Sequence, residues 1–285
     1  MENPTIEYQQ GQNHQKITWL LLSLLLFFRI PFIILVTYYQ PIENQNGGAV
    51  YEVSTYFLIT LFIWWERKRL TEFHIDFSAL ILILLFRPLQ IFTLYYWKVE
   101  SPLTFPNFPS LLLWGISIGL GVTLLYSGFK STRIPTIWVW LCLGFLIGTC
   151  VSVFENFSSF INMATYSGNS SFTALLSNGM NLFYHLGSAP VNEEPLFRGF
   201  LWGTLRQAKW KDGQILIIQT VLFTSAHIYF ANQCPLMFWS LIPLSAILFG
   251  VLAVRSKSIS TAMLAHGMIN GSAYVFIASI LAAYH

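Results

Sequence analysis

Charged residues are scarce in this chain of 285 residues. Asp, Glu, Lys and Arg together make up 9% of it, whereas hydrophobic residues make up 55%. Soluble domains usually contain about 25% charged residues. A single soluble core cannot bury so much apolar surface, so the composition predicts that a lipid bilayer surrounds most of the chain. The sequence also lacks a basic block of the kind that binds nucleic acid, which excludes that class of partner.

Cysteine is equally scarce, with three residues and no C-x-x-C pair. This excludes a disulfide framework and a thiolate zinc site. Cys142 and Cys150 fall within one apolar run. Because free cysteine is commonly buried, we expect both to be small buried hydrophobic residues.

Apolar runs long enough to cross a bilayer, which takes about 17–25 residues, recur along the whole chain. We place them at 17–39, 49–65, 74–97, 109–129, 134–154, 213–231, 235–254 and 258–283. The first run has no small-x-small cleavage site and is therefore interpreted as a retained span. Segment 172–209 makes one further crossing, in which 172–187 either lies in the outer interface or enters and turns back. The sequence thus predicts an all-α, polytopic helical bundle with about eight or nine membrane segments.

Lys and Arg indicate the orientation of the bundle, because basic loops are retained in the cytoplasm. Residues 40–50 and 155–171 contain neither Lys nor Arg. The basic residues cluster in the alternate loops: Arg67, Lys68 and Arg69; Lys130 and Arg133; Arg206, Lys209 and Lys211; Arg255 and Lys257. With nine crossings, the N-terminus is predicted to be cytoplasmic and the C-terminus external.

Two arginines lie inside apolar runs beside prolines. Arg29 is followed by Ile30-Pro31, and Arg87 directly precedes Pro88. We expect their side chains to snorkel or to bond to carbonyls freed by the proline kinks.

The stretch from Asn192 to Leu201 contains two glutamates and an arginine in a mainly apolar setting. An ionisable side chain inside the membrane is a functional hypothesis by default. Glu194 and Arg198 are four residues apart, so they can pair along a helix. Glu193 points elsewhere and is free to face another group. Pro195 suits a first helical turn, which would place both carboxylates near a helix N-terminus. The alternative is a folding salt bridge with a spare glutamate at the membrane surface.

Three further polar residues occur in later apolar segments. His227 ends the run from Thr220, in what we expect to be an apolar helix. His266 and Asn270 are four apart and share one face of the last span. Small residues around them, among them Ala265, would allow another helix to approach closely. Taken alone, His227 could be a packed, hydrogen-bonded core residue. His266 and Asn270 could serve only to form hydrogen bonds between helices.

Depth in the bilayer favours a shared site. Counted at about 1.5 Å per residue from the basic loops, Glu193 lies in the outer half and His227 toward the outer end of its span. Asn270 lies about two-thirds of the way out and His266 nearer the middle, so all four can meet in one layer. A carboxylate beside two imidazoles in a water-filled cleft suits general-base activation of water.

These motifs resemble those of the CPBP family of intramembrane proteases, which includes CAAX endopeptidases and bacteriocin-processing or Abi proteins. E-E-x-x-x-R stands here as Glu193, Glu194 and Arg198, and F-x-x-x-H as Phe223 and His227. The third motif, a histidine followed four later by Asn, stands as His266 and Asn270. The resemblance implies a catalytic helical core at 170–284, preceded at 1–165 by membrane spans of unassigned role.

The resemblance also implies residue roles. Glu193 would activate the attacking water with His227, His266 and Asn270 would stabilise the oxyanion, and Glu194 and Arg198 would support the site. We expect no obligatory cofactor, although Glu193, His227 and His266 would also suit Zn²⁺ with an open fourth position. The H-E-x-x-H motif is absent.

The expected function is hydrolysis of a peptide bond in a membrane-associated protein or peptide, in a bilayer that is expected to be a bacterial plasma membrane. Whether the substrate is prenylated stays open. Two other functions also stay open: a non-catalytic membrane scaffold or immunity protein, and an ion-coupled transporter that uses Glu193 as its titrating group.

Overall fold

The computed structural model describes residues 4–35, 45–97, 108–128, 137–155 and 182–283. Within these ranges every regular element is helical. This confirms the predicted all-α class, which follows from the bilayer because a helix satisfies all of its backbone hydrogen bonds internally. Residues 172–181 lie outside the described ranges, so the alternatives for 172–187 stay open.

The N-terminal part supplies five helices. Helix α1 (Pro4–Phe27) continues through a π-helical turn, Phe28–Phe32, and α2 spans Gln45–Trp65. Helix α3 consists of Phe77–Ile81, a π-helical turn Leu82–Phe86 and Arg87–Trp97. Helix α4 spans Phe108–Tyr126, and α5 spans Ile137–Glu155.

Besides the helical residues 182–187, the described C-terminal residues form four longer helices and one short one. Helix α6 consists of Ala189–Glu194, a π-helical turn Pro195–Leu201 and Trp202–Gln207. The others are α7 (Asp212–Ser225), the short helix Phe230–Gln233, α8 (a π-helical turn Met237–Leu241 followed by Ile242–Ser256) and α9 (Ile259–Ala283).

Four of the described helices are long and apolar enough to cross a membrane, and the chain is an integral membrane protein. They are Gly11–Leu35, Phe108–Tyr126, Ile137–Phe154 and Met237–Ser256. Val50–Trp65 and Phe77–Phe92 are apolar but shorter. Most of the predicted runs therefore coincide with helices.

The predicted span 213–231 is wrong in its length. Helix α7 ends at Ser225 after 14 residues, which is about 21 Å at 1.5 Å per residue and less than the ~30 Å hydrocarbon core. His227 consequently lies in the turn beyond the helix, and not within an apolar helix as predicted.

Several predicted cytoplasmic loops meet at one end of the bundle. Arg206 at the end of α6 contacts His74 at 3.5 Å, and Gln207 donates to Glu72 at 3.2 Å. The backbone N–H of Ile259, at the start of α9, donates to the carbonyl of His74 at 2.9 Å. The basic loops after α2, α6 and α8 thus lie close together, as they must if all three lie on the same side of the membrane. Which side of the membrane they face stays a prediction.

Helices α4 and α5 carry the most exposed apolar surface, which in a membrane protein faces lipid. Leu125 in α4 and Trp138 in α5 are 83% and 74% exposed. Cys142 and Cys150 are exposed on α5. The expectation that they are buried was wrong, because an apolar run in a bilayer can face lipid as readily as protein.

Small residues on α9 allow close packing at the level of the candidate site. A Cβ atom at Gly267 would overlap the side chain of Leu186, and one at Gly271 would lie 3.0 Å from Leu182 Cδ1. The predicted role of small residues in this helix is confirmed at these two positions. Because Gly267 and Gly271 pack against Leu186 and Leu182, the neighbouring His266 is held close to the segment that leads into α6.

Candidate active site

Helix α6 carries both glutamates in its second turn. The helix begins at Ala189 with Pro190 in its first turn, and every residue from Pro190 to Leu201 is buried. Pro195 lies inside the helix and not in its first turn, so that prediction was wrong. Proline lacks the N–H that an α-helix interior needs, and the π-helical turn begins at this residue.

Glu194 and Arg198 form the predicted pair within α6. The distance from Arg198 Nη1 to Glu194 Oε1 is 3.3 Å, and both side chains are fully buried. Arg198 Nη2 donates to the carbonyl of Ala246 in α8 at 3.1 Å. Its guanidinium also lies 4.4 Å from the ring centroid of Phe223 and 5.2 Å from that of Phe249. Arg198 therefore ties α6 to α7 and α8.

Glu194 also anchors His266. The distance from His266 Nδ1 to Glu194 Oε1 is 2.7 Å, and the imidazole stacks on Phe249 with 5.0 Å between ring centroids. Since an ionised carboxylate only accepts, Nδ1 carries the proton in this bond. His266 therefore has its orientation set by Glu194, and Nε2 is the nitrogen that it can present to a ligand.

Glu193 lies apart from this pair, as the helix geometry predicted, and it faces His227, with which the family resemblance paired it. The distance from His227 Nε2 to Glu193 Oε2 is 3.7 Å. Oε1 accepts a hydrogen bond of 2.6 Å from Arg29 Nη2. Oε2 is buried and has no hydrogen-bond partner among the described residues.

The sequence prediction missed Arg29 as a site residue. Its side chain is buried and pairs with Glu193 across 164 positions of sequence, and among the described residues it has no hydrogen bond to a carbonyl. The one available signal was the rule that an intramembrane charge is functional by default. Pro31 offered a local explanation for Arg29, and no spacing rule connects residues so far apart.

Two hydrogen bonds determine the tautomer of His227. Nδ1 lies 2.8 Å from the carbonyl of Phe223, which can only accept, so Nδ1 carries the proton. Nε2 then has the lone pair of the neutral imidazole and accepts from Arg29 Nη2 at 3.2 Å. His227 thus presents a base, and not a donor, beside Glu193.

All four predicted catalytic residues line one cavity of about 460 Å³. Its polar lining also includes His185, Tyr229 and Ser245, and Asn270 is half-buried. Apolar side chains from the short helix after α7, from α8 and from α9 also line the wall: Phe230, Met237, Ile242, Phe249 and Ile269. The cavity offers a polar reaction centre with an apolar lining.

The side chains in their present arrangement do not fit Zn²⁺. Among the described residues, no three His, Cys, Asp or Glu side chains are placed to hold a metal ion. Arg29 Nη2 bonds to both Glu193 Oε1 and His227 Nε2, which zinc would need as ligands. His266 Nδ1 is bound to Glu194.

A second buried ion pair lies next to the site. Arg87 pairs with Glu52 of α2 and donates to the carbonyl of Gly187 at 3.1 Å. Glu52 also accepts from the side-chain amide of Asn192 at 2.6 Å. The expectation for Arg87 was therefore wrong as well: its main partner is a carboxylate, and the carbonyl that it binds belongs to a distant segment. This network fixes the residue that directly precedes Glu193.

Residues 176–272 match the family model of Rce1-like proteins, described as type II CAAX prenyl endopeptidases. We refer to this matched segment as the Rce1-like domain. The match confirms the resemblance indicated by the motifs, and the Rce1-like domain contains all the predicted site residues: Glu193, Glu194, Arg198, His227, His266 and Asn270. Arg29, Glu52 and Arg87 lie outside it. No curated protein and no solved structure matches the chain.

Proposed function

We propose that the Rce1-like domain is an intramembrane endopeptidase that hydrolyses a peptide bond with a water molecule activated by Glu193. One observation carries this proposal: Glu193 Oε2 is buried without a hydrogen-bond partner among the described residues, 3.7 Å from His227 Nε2, at a cavity of about 460 Å³. A carboxylate oxygen in this position is available to accept a proton from water. Arg29 on the other oxygen keeps the carboxylate oriented.

The reaction begins when a water in the cavity donates a proton to Glu193 Oε2 while its oxygen attacks the carbonyl carbon of the scissile bond. The C=O π electrons move to the carbonyl oxygen, which gives a tetrahedral oxyanion. Collapse of this intermediate re-forms the carbonyl and breaks the C–N bond. The leaving nitrogen takes the proton from Glu193, directly or through His227, which leaves one carboxylic acid and one amine.

His266 and Asn270 are proposed to stabilise the oxyanion. The Asn270 side-chain amide can donate directly. His266 can donate from Nε2 only as an imidazolium, because Nδ1 already bonds to Glu194. The Glu194 carboxylate accepts from Nδ1 and orients the ring, as the buried aspartate does in a Ser-His-Asp triad. Glu194 and Arg198 therefore act through His266 and do not touch the substrate.

The substrate class follows from the cavity and from the family. An apolar wall around a polar centre suits a peptide that is held at or in the bilayer. The members of the matched family are described as type II CAAX prenyl endopeptidases. We propose a membrane-associated protein or peptide as the substrate, prenylated only in a host that prenylates proteins. We assign the chain to a bacterial plasma membrane, with a cytoplasmic N-terminus and an external C-terminus.

Comparative membrane proteomics tests the proposed function. We expect a strain that carries Glu193→Ala at wild-type abundance to accumulate at least one uncleaved precursor, and the wild-type gene to restore its cleavage. Identical proteomes and an unchanged phenotype would favour a non-catalytic scaffold. Ion flux through the reconstituted protein without any cleaved peptide would favour a transporter.

Metal dependence is tested separately by exhaustive chelation of the purified protein. We expect cleavage of the accumulating precursor to persist after chelation, because Arg29 bonds to the Glu193 and His227 atoms that a zinc ion would need. Loss of cleavage that returns on addition of Zn²⁺ would contradict the metal-free mechanism. The midpoint of thermal unfolding, measured before and after chelation, serves as the control for damage caused by the treatment.

A further inference from the structure

We propose that Arg29, which lies outside the Rce1-like domain, is a positioning residue of the active site that holds Glu193 and His227 in their reactive arrangement. The inference rests on the proposed function and extends it to the first helix of the chain. It also assigns a role to a part of the protein, residues 1–165, for which the sequence indicated none.

The contacts of Arg29 converge on the reaction centre. Nη2 donates to Glu193 Oε1 at 2.6 Å and lies 3.2 Å from His227 Nε2. One nitrogen thus bridges the two groups that the proposed mechanism uses to move protons. The Arg29 and Glu193 side chains are each 5% exposed, so little water competes for these bonds.

Neighbouring side chains hold the guanidinium in place. The ring of Tyr51 in α2 lies against it, with 5.8 Å between Arg29 Cζ and the ring centroid. The Tyr229 side chain, in the turn after α7, also lies beside Arg29. Arg29 is therefore held by residues of three different segments. A guanidinium that orients both Glu193 and His227 must itself be fixed in this way.

Arg87, another buried arginine of the N-terminal part, has a structural role and serves as a comparison for Arg29. Arg87 is fully buried, and its partners are Glu52, Gln90 and the carbonyl of Gly187. None of these groups takes part in the proposed reaction. Both arginines are buried cations of the same type, but the contacts of Arg29 are with proton-transfer groups.

The backbone of α1 explains how a first helix supplies such a residue. Arg29 lies in the π-helical turn Phe28–Phe32, which also contains Pro31. The proline cannot donate a backbone hydrogen bond, and the wider turn accommodates it. Single π-helical turns frequently occur at functional sites. Arg198 lies in a corresponding turn that begins at Pro195.

This arrangement has two mechanistic consequences. By occupying Oε1, Arg29 leaves Oε2 as the oxygen that receives the water proton. By donating to Nε2, it occupies the His227 lone pair, so the first proton goes to Glu193 and not to the imidazole. His227 accepts a proton only after the Arg29 bond to Nε2 has opened.

The experiment measures kcat and KM for Arg29→Ala, Arg29→Lys and the exposed control Arg206→Ala in the purified full-length protein. The probe is a fluorescence-quenched peptide that spans the cleavage site of the precursor accumulating in the Glu193→Ala strain. For Arg29→Ala we expect kcat to fall about 10²-fold, the cost of a small misplacement of reacting groups, with KM changed less than about threefold because Arg29 does not contact the substrate.

Chemical rescue separates positioning from folding. Guanidinium ions at millimolar concentration should restore part of the Arg29→Ala activity in a saturable manner, and should not affect Arg206→Ala. Arg29→Lys should retain intermediate activity, because an ammonium supplies the charge without the planar fork. The midpoint of thermal unfolding of each variant is measured in parallel.

The outcomes distinguish the two proposals. A kcat of Arg29→Ala equal to that of the wild type, together with a strongly reduced kcat of Glu193→Gln, would overturn the role of Arg29 alone. A lower unfolding midpoint with no guanidinium rescue would show that Arg29 is merely structural and would also overturn it. If the wild type does not cleave the peptide, or if Glu193→Gln cleaves it fully, both proposals fail.

Discussion

Glu193→Gln is expected to lower kcat by about 10²–10⁴-fold, the usual contribution of a general base. The amide has the size of the carboxylate and keeps an oxygen for Arg29, but its nitrogen cannot accept a proton from water. The fold should therefore persist while the proposed reaction stops. Cleavage of the quenched peptide by the purified protein measures the change, with the unfolding midpoint as the check on folding.

A second carboxylate serves as the matched control for Glu193. Glu72 has a 49% exposed side chain that pairs with Arg69 at the end of the bundle where the basic loops meet. Glu72→Gln should retain wild-type activity. Glu193→Asp tests position: it keeps the base but shortens the side chain, so activity should lie between that of Glu193→Gln and the wild type. Equal activity of Glu193→Gln and the wild type would contradict the general-base role.

Arg198→Met is expected to lower the free energy of unfolding by about 3–5 kcal/mol, the cost of leaving one partner of a buried ion pair uncompensated. Both the Arg198 and Glu194 side chains are 0% exposed, so water cannot replace the lost partner. The substitution also removes the hydrogen bond to the Ala246 carbonyl in α8 and the stacking on Phe223. Denaturation of the purified protein in detergent measures the loss.

The double variant Glu194→Leu with Arg198→Met separates stability from activity. Because both charges are removed, much of the lost stability should return. Activity should stay low, because His266 no longer has the carboxylate that sets its orientation. A stable and fully active double variant would contradict the proposed support of His266 by Glu194. A single variant Arg198→Met as stable as the wild type would contradict the role of the buried pair in the fold.

The motif residues could be predicted because the spacing within each motif is local. Glu194 and Arg198 are one helical turn apart, so their pairing follows from helix geometry alone. The same geometry directs Glu193 away from Arg198, and the structure places it against His227 at 3.7 Å. The bilayer forces apolar runs into helices, which is why most of the predicted spans coincide with helices.

The partners of Arg29 and Arg87 could not be predicted in this way. Each arginine lies beside a proline that offered a sufficient local explanation, and each true partner is a carboxylate on another helix. The position of His227 beyond the end of α7 was missed for a related reason. Hydropathy continues past Ser225, but the hydrogen bonds of the helix end there.

The sequence alone therefore determined the membrane setting, the all-α class and the local relations within E-E-x-x-x-R, since these depend on composition and helical periodicity. Only the tertiary structure decided which charges meet. It brings α1 against α6, so that Arg29 bonds to Glu193 and His227, and it assigns His266 to Glu194. The reason is physical: a buried charge is stable only beside a partner. Which partner lies within reach depends on how helices distant in sequence pack.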